Sequence, residues 1–296
     1  MNRRTFLSAS AATILAGNLL ADTTKKPKLR KAVKYGMIGE GKTIRDKFEL
    51  IKKIGFEGVE IDIPSSLNVR EAIDAEKATG IKIHGVIDSV HWNPTHALSH
   101  PDPVVRASGL GALLGAILIA ETVGADTVLL VPGVVREETF NGKKETVTYE
   151  QCWERSQEMV KRAIPVAEKA KVKIAIEVVW NNFITKPEQL IQYVDDFKSE
   201  WVGAYFDCSN MIKYGVSSAD WIRKLGKRML KFDFKGYSKT KGFNVKIGEG
   251  DEDWPEILKA LAEIGYDGWA TAEVERGDEK FLRDVSERMD KALGLK

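Results

Sequence analysis

Four acidic residues stand where an extended chain would bury them. The segments IAIEVV, AYFDC, LKFDFKG and ATAEVE carry Glu177, Asp207, Asp233 and Glu273 between apolar neighbours. Successive side chains of a strand point to opposite faces, so the alternation that sends Ile176 and Val178 one way sends Glu177 the other. Four anions turned into one interior repel each other unless neutralised. Oxygen donors suit a hard divalent cation, with manganese or magnesium expected first and calcium as a further candidate. Lysines are the other available neutraliser. Over residues 229–237, Lys231 and Lys235 share a face with Asp233, while Leu230, Phe232 and Phe234 share the opposite one, so a purely structural charge network stays open.

Short β-branched runs alternate with amphipathic stretches around these residues. Candidate strands cover 34–39, 58–63, 81–87, 126–132, 172–179, 202–208, 229–236 and 269–275, each followed by a helical pattern. Helical stretches ending in Gly55, Gly80, Gly124 and Gly265 just before the next strand have the expected left-handed terminus. Eight strand–helix repeats predict an α/β fold with parallel pairing closed into a single (β/α)8 TIM barrel. A doubly wound sheet fits less well, because no G-x-G-x-x-G follows the first strand. Barrel chemistry sits where strands run into their following loops. Glu60 and Asp62 end the second candidate strand, His84 and Asp88 lie on the third, and the four carboxylates fall on the fifth to eighth.

Candidate substrate contacts come from the same ends. His91 and Trp92 follow strand three, and Trp180 with Asn182 follows Glu177. An aromatic face beside amide and imidazole donors suits the C–H face and hydroxyls of a sugar. Asn210, three residues after Asp207, joins Glu60, His84 and Lys235 as a further candidate. Residues 246–254 (KIGEGDEDW) form a glycine-bearing turn into a helix starting near Asp253.

With 296 residues, 45 basic and 43 acidic, the chain is long enough for a large core and carries no footprint for nucleic acid. A small neutral carbohydrate is the expected partner, and a homo-oligomer is compatible with these numbers. Arg3 and Arg4 precede Phe6-Leu7 and an apolar run to Ala21, which is too short to span a bilayer at ~20 residues. It resembles a twin-arginine signal peptide at 1–21, implying export to the periplasm and no stable membrane span after processing. Residues 22–32 read as a linker and 33–296 as the barrel domain. Cys152 and Cys208 are expected as free thiols.

The segments IAIEVVWNNF, GAYFDCSN, LKFDFKGY and ATAEVE together resemble the sugar phosphate isomerase/epimerase superfamily, with its xylose isomerase-like barrel, over residues 33–293. That superfamily includes ketose 3-epimerases, hexulose isomerase-like proteins and inosose dehydratases. The resemblance implies one metal held by Glu177, Asp207, the strand-seven position and Glu273, with Glu177 and Glu273 moving a proton next to a carbonyl. The family's strand-seven His-x-Lys reads Asp233-Phe234-Lys235 here, which makes the implied ligand set all carboxylate. The implied activity is isomerisation or epimerisation of an unphosphorylated sugar or cyclitol. Two alternatives stand beside it: dehydration or β-elimination from a keto sugar or oxidised glycoside, and a non-catalytic carbohydrate-binding barrel. Apurinic endonucleases share the barrel but need several His ligands, and only four His are present.

Overall fold

The computed structural model describes residues 26–91, 93–140 and 143–295. The signal-peptide segment 1–21 and Trp92 lie outside the described residues. Eight strands close into a parallel barrel: β1 (Arg30–Lys34), β2 (Gly58–Ile63), β3 (Lys82–Asp88), β4 (Thr127–Leu130), β7 (Lys173–Glu177), β8 (Val202–Asp207), β9 (Met229–Phe234) and β10 (Trp269–Ala272). Helices α1 (Ile44–Lys53), α2 (Val69–Thr79), α3 (Pro103–Val123), α4 (Tyr149–Ala170), α5 (Pro187–Asp195), α7 (Ser218–Leu225), α8 (Trp254–Glu263) and α9 (Glu279–Ala292) surround it, as the repeat predicts.

Local chemistry sets the element ends. Thr43 and Asp46 form a reciprocal capping box on α1, and Asp102 caps α3 ahead of Pro103. Gly55, Gly80, Gly124 and Gly265 all take positive φ, as the strand-entry turns require. Apolar faces of the helices pack on outward-facing strand residues such as Val59, Ile61, Ile174, Ile176, Phe232 and Phe234, which form the main core. Inside the barrel, Ile87, Leu129, Ala175 and Tyr205 make a separate small cluster under the carboxylates. Cys152 and Cys208 are both buried free thiols.

Three sequence expectations are corrected, and further elements join them. Residues 30–32, assigned to the linker, belong to β1, because Ala32 and Val33 are fully buried against β10 and β2. The first strand therefore ends at Lys34 rather than beginning there. Leu230 does not share the outer face with Phe232 and Phe234. It is the extra residue where β8 pairing steps from Met229 to Lys231, and it packs under the inner cluster in space left by Gly203. An antiparallel hairpin, β5 (Arg136–Phe140) and β6 (Lys143–Val147), and the short helix α6 (Cys208–Met211) were not anticipated.

Candidate active site

Glu177 ends β7, Asp207 ends β8, Asp233 is the penultimate residue of β9, and Glu273 follows β10. The barrel turns all four inward, and one carboxylate oxygen from each lies within 4.8 Å of the others. Asp207 is also the N-cap of α6: its Oδ1 accepts from Ser209 N–H at 2.7 Å and Asn210 N–H at 2.9 Å. Asp233 Oδ1 accepts from Phe234 N–H at 2.9 Å. Each aspartate is thus held by one oxygen, and the second oxygens, both Oδ2, are buried without a hydrogen bond.

Two ammonium groups face those oxygens. Lys34 Nζ lies 2.8 Å from Asp233 Oδ2 and 3.2 Å from Glu273 Oε1. Lys235 Nζ lies 3.1 Å from Asp207 Oδ2 and also pairs with Glu273 Oε2. The two contacts to aspartate Oδ2 are ion pairs without hydrogen-bond angles, so Coulomb attraction rather than a directed bond holds them. Lys231, offered by the sequence as a neutraliser, does not reach the cluster. Its Nζ runs the other way, to Asp126 Oδ1 at 2.7 Å and His84 O at 3.1 Å.

Burial dominates the proton affinities. It pushes Glu177 up to about 8, with Glu273 and Asp207 adding to the rise and Lys34 opposing it. Asp233 and Asp207 are raised for the same first reason. Burial would raise Glu273 too, but Lys34 and Lys235 outweigh it and pull that carboxyl down to about 2. Burial opposes the charge on Lys34, yet Asp233 and then Glu273 hold its pKa well above the ordinary value. Four carboxylates against two ammoniums leave a formal deficit of two positive charges. A divalent cation would supply that charge, and Asp207 Oδ2 and Asp233 Oδ2, buried without a hydrogen bond, would supply ligand atoms, so the donor set fits a hard dication.

Above the carboxylates opens a cavity of about 560 Å³. Of the residues chosen from sequence, Glu177, Glu273, His91, Trp180, Asn210 and Lys235 line it. Val131 N–H donates to His91 Nδ1 at 3.5 Å, and burial lowers this imidazole to about 3, so it is neutral. Trp180 donates from Nε1 to Asn210 O at 2.8 Å and stacks on Phe243 with ring centroids 4.8 Å apart.

Three other candidates lie elsewhere. Glu60 and His84 sit in the barrel interior and do not line the cavity. Tyr205 Oη–H donates to Glu60 Oε2 at 2.9 Å, and His84 stacks on Trp269 at 4.5 Å. The close approach of Glu60 fixes Gly85, where a Cβ would stand 2.5 Å from Glu60 Oε1. Asn182 is exposed in a left-handed turn, while its neighbour Asn181 points in and donates to Gly133 O at 2.6 Å. Sequence reasoning missed Lys34, Arg276 and Phe243, all in the lining. None of them left a signal in a strand pattern: Lys34 opens the segment KYGMIG, and Arg276 and Phe243 lie in loops.

A family model described as a xylose isomerase-like TIM barrel matches residues 48–292. The chain belongs to that family. Among relatives of this xylose isomerase-like barrel, L-ribulose-5-phosphate 3-epimerase UlaE of Escherichia coli O1:K1 / APEC is 23% identical over 266 residues, covering 83% of this chain and 90% of its own. D-psicose 3-epimerase of Ruminiclostridium cellulolyticum is 28% identical over 264 residues, covering 83% and 85%. The crystal structure of IolI protein with a bound zinc atom has the same fold, with a TM-score of 0.73, 17% identity, and coverage of 90% of this chain and 99% of its own.

Proposed function

We propose that this barrel is a divalent-metal-dependent epimerase or isomerase of an unphosphorylated keto sugar or cyclitol. The observation that carries the reading is the convergence of four carboxylates on one point with two buried oxygens lacking hydrogen bonds. Its sugar 3-epimerase relatives support the same reaction class. Glu177, Asp207, Asp233 and Glu273 would hold the cation, which when bound polarises a carbonyl and its neighbouring hydroxyl and so acidifies the C–H between them. An all-oxygen set favours manganese or magnesium over zinc.

Glu177 and Glu273 approach the cluster from β7 and β10 and do the proton work. Lys34 and Lys235 keep Glu273 ionised, so it accepts the proton from the carbon next to the carbonyl. Burial favours a neutral Glu177, so it returns a proton from its own side. Removal on one face and return on the other inverts the carbon. The exposed edge of Trp180 packs against the sugar, and His91 and Asn210 meet hydroxyls. The twin-arginine pattern of Arg3 and Arg4 supports export, hence a substrate without phosphate.

The test is exchange in D2O with manganese. D-fructose or D-psicose should take up deuterium at C3, seen by NMR, with turnover lost in Glu177→Gln and Glu273→Gln. Absence of exchange from every keto sugar tried, free or as a glycoside, overturns the proposal.

A further inference from the structure

The space above the carboxylates does not close at Lys235 and Glu273. A second cavity, about 700 Å³, shares Lys235, Phe243, Glu273 and Val274 with the first and runs outward between the loop after β9 and helix α9. The inner cavity already lies within the roughly 300–1,000 Å³ of a small-molecule site, so a single sugar ring does not need the second.

The outer cavity differs in chemistry from the inner one. Val245, Ile247, Phe281 and Val285 give it apolar walls. Most of its charged groups pair with one another: Lys246 Nζ is 3.0 Å from Asp284 Oδ2, and Arg288 pairs with Glu249 at 2.9 Å and with Asp284 at 3.0 Å, while Glu275 is exposed to solvent. At the junction stands Phe243, 40% exposed, its ring braced against Trp180 at 4.8 Å and Tyr237 at 5.1 Å. A braced phenyl ring exposed on a wall common to two cavities is apolar surface positioned for a ligand rather than a loose side chain.

We infer that the substrate is a keto sugar still joined to an apolar aglycone, with the sugar over the four carboxylates and the aglycone in the outer cavity. This rests on the proton-transfer reading above. In a glycoside the anomeric carbon is no longer a carbonyl, so the carbonyl must sit on another ring carbon. The proton balance is unchanged: a C–H beside that ring carbonyl gives its proton to one carboxylate, the opposite face receives one from the other, and the glycosidic bond stays intact.

The probes are phenyl and methyl 3-dehydro-β-D-glucopyranoside, titrated calorimetrically into the full chain equilibrated with manganese. Burial of the phenyl ring should make the phenyl glycoside bind about tenfold tighter than the methyl one. Phe243→Ala should remove most of that preference, and Val245→Asp, at a residue lining only the outer cavity, should remove it while leaving methyl glycoside affinity within about twofold. Equal affinities in the unaltered chain, or a preference untouched by both variants, overturns the inference. Deuterium exchange into a free ketohexose alongside equal affinities sinks the aglycone subsite alone. Failure to bind either glycoside together with failure of exchange sinks both readings.

Discussion

Lys34→Met changes the charge of the cavity at the residue that couples most of it. Methionine keeps the apolar stem of this buried side chain and deletes the ammonium that contacts Asp233 and Glu273. Glu273 measures the loss, because Lys34 and Lys235 together carry it from its ordinary 4.5 down to about 2. At about 1.4 kcal/mol per unit, that net depression is worth about 3 kcal/mol of stability, supplied by the two lysines together against the opposing effect of burial. The folded-state value is depressed, so the contribution is fully present above the unfolded value and disappears as pH falls through the folded one. At ~2–4 °C per kcal/mol, chelator-treated Lys34→Met should melt up to about 10 °C below the unaltered chain near pH 7.5, and the gap should narrow towards about pH 3. Manganese should raise the melting temperature more in the variant, where the site is one positive charge poorer. Thermal denaturation at the two pH values, with and without manganese, decides this. A loss that is the same at both pH values would mean that Lys34 acts by packing, and the charge account would fail.

Two further predictions concern protons. In the metal-free chain the two ammoniums balance two of the four carboxylates, and burial leaves the others, Glu177 and Asp233 foremost, disposed to hold protons. Manganese binding near pH 7 should therefore release about one proton, from Asp233, with Glu177 keeping the proton that it returns to substrate; calorimetry in buffers of different ionisation enthalpy reads it, and zero release would contradict the proposed ligand set. Asp88, buried at the end of β3 and raised to about 7 by burial, contributes stability below its ordinary 3.8 that is lost as pH rises through about 7. The stability of Asp88→Asn relative to the unaltered chain should rise by about 4 kcal/mol between pH 3 and pH 8, and a pH-independent difference would refute that burial argument.

The barrel and its four carboxylates were legible because each signal was local. Alternation around Glu177, Asp207 and Asp233 states the inward face directly, and the glycines before four strands mark the turns. What sequence could not state was depth along the barrel axis. Glu60 and His84 point inward like Glu177, but the register of β2 and β3 puts them in the layer that Tyr205 and Trp269 close off. Lys34 stayed hidden because KYGMIG reads as a strand, whereas the pairing of Ala32 and Val33 with β10 draws β1 back to Arg30. Leu230 breaks the alternation because one residue is extra in β9 against β8, a count that requires both strands. Phe243 lies in the loop after β9, outside any strand alternation, and only the fold carries it to Trp180.

The central claim is that Glu177, Asp207, Asp233 and Glu273 form a divalent-cation site. Elemental analysis of the protein purified without chelator or added metal, beside Asp233→Ala, tests it most directly. The account predicts about one equivalent of manganese, magnesium or calcium in the unaltered chain and its loss in the variant. No bound cation in the unaltered chain, with no thermal shift on adding one, would contradict it and leave Lys34 and Lys235 as the permanent counter-ions of a charge network.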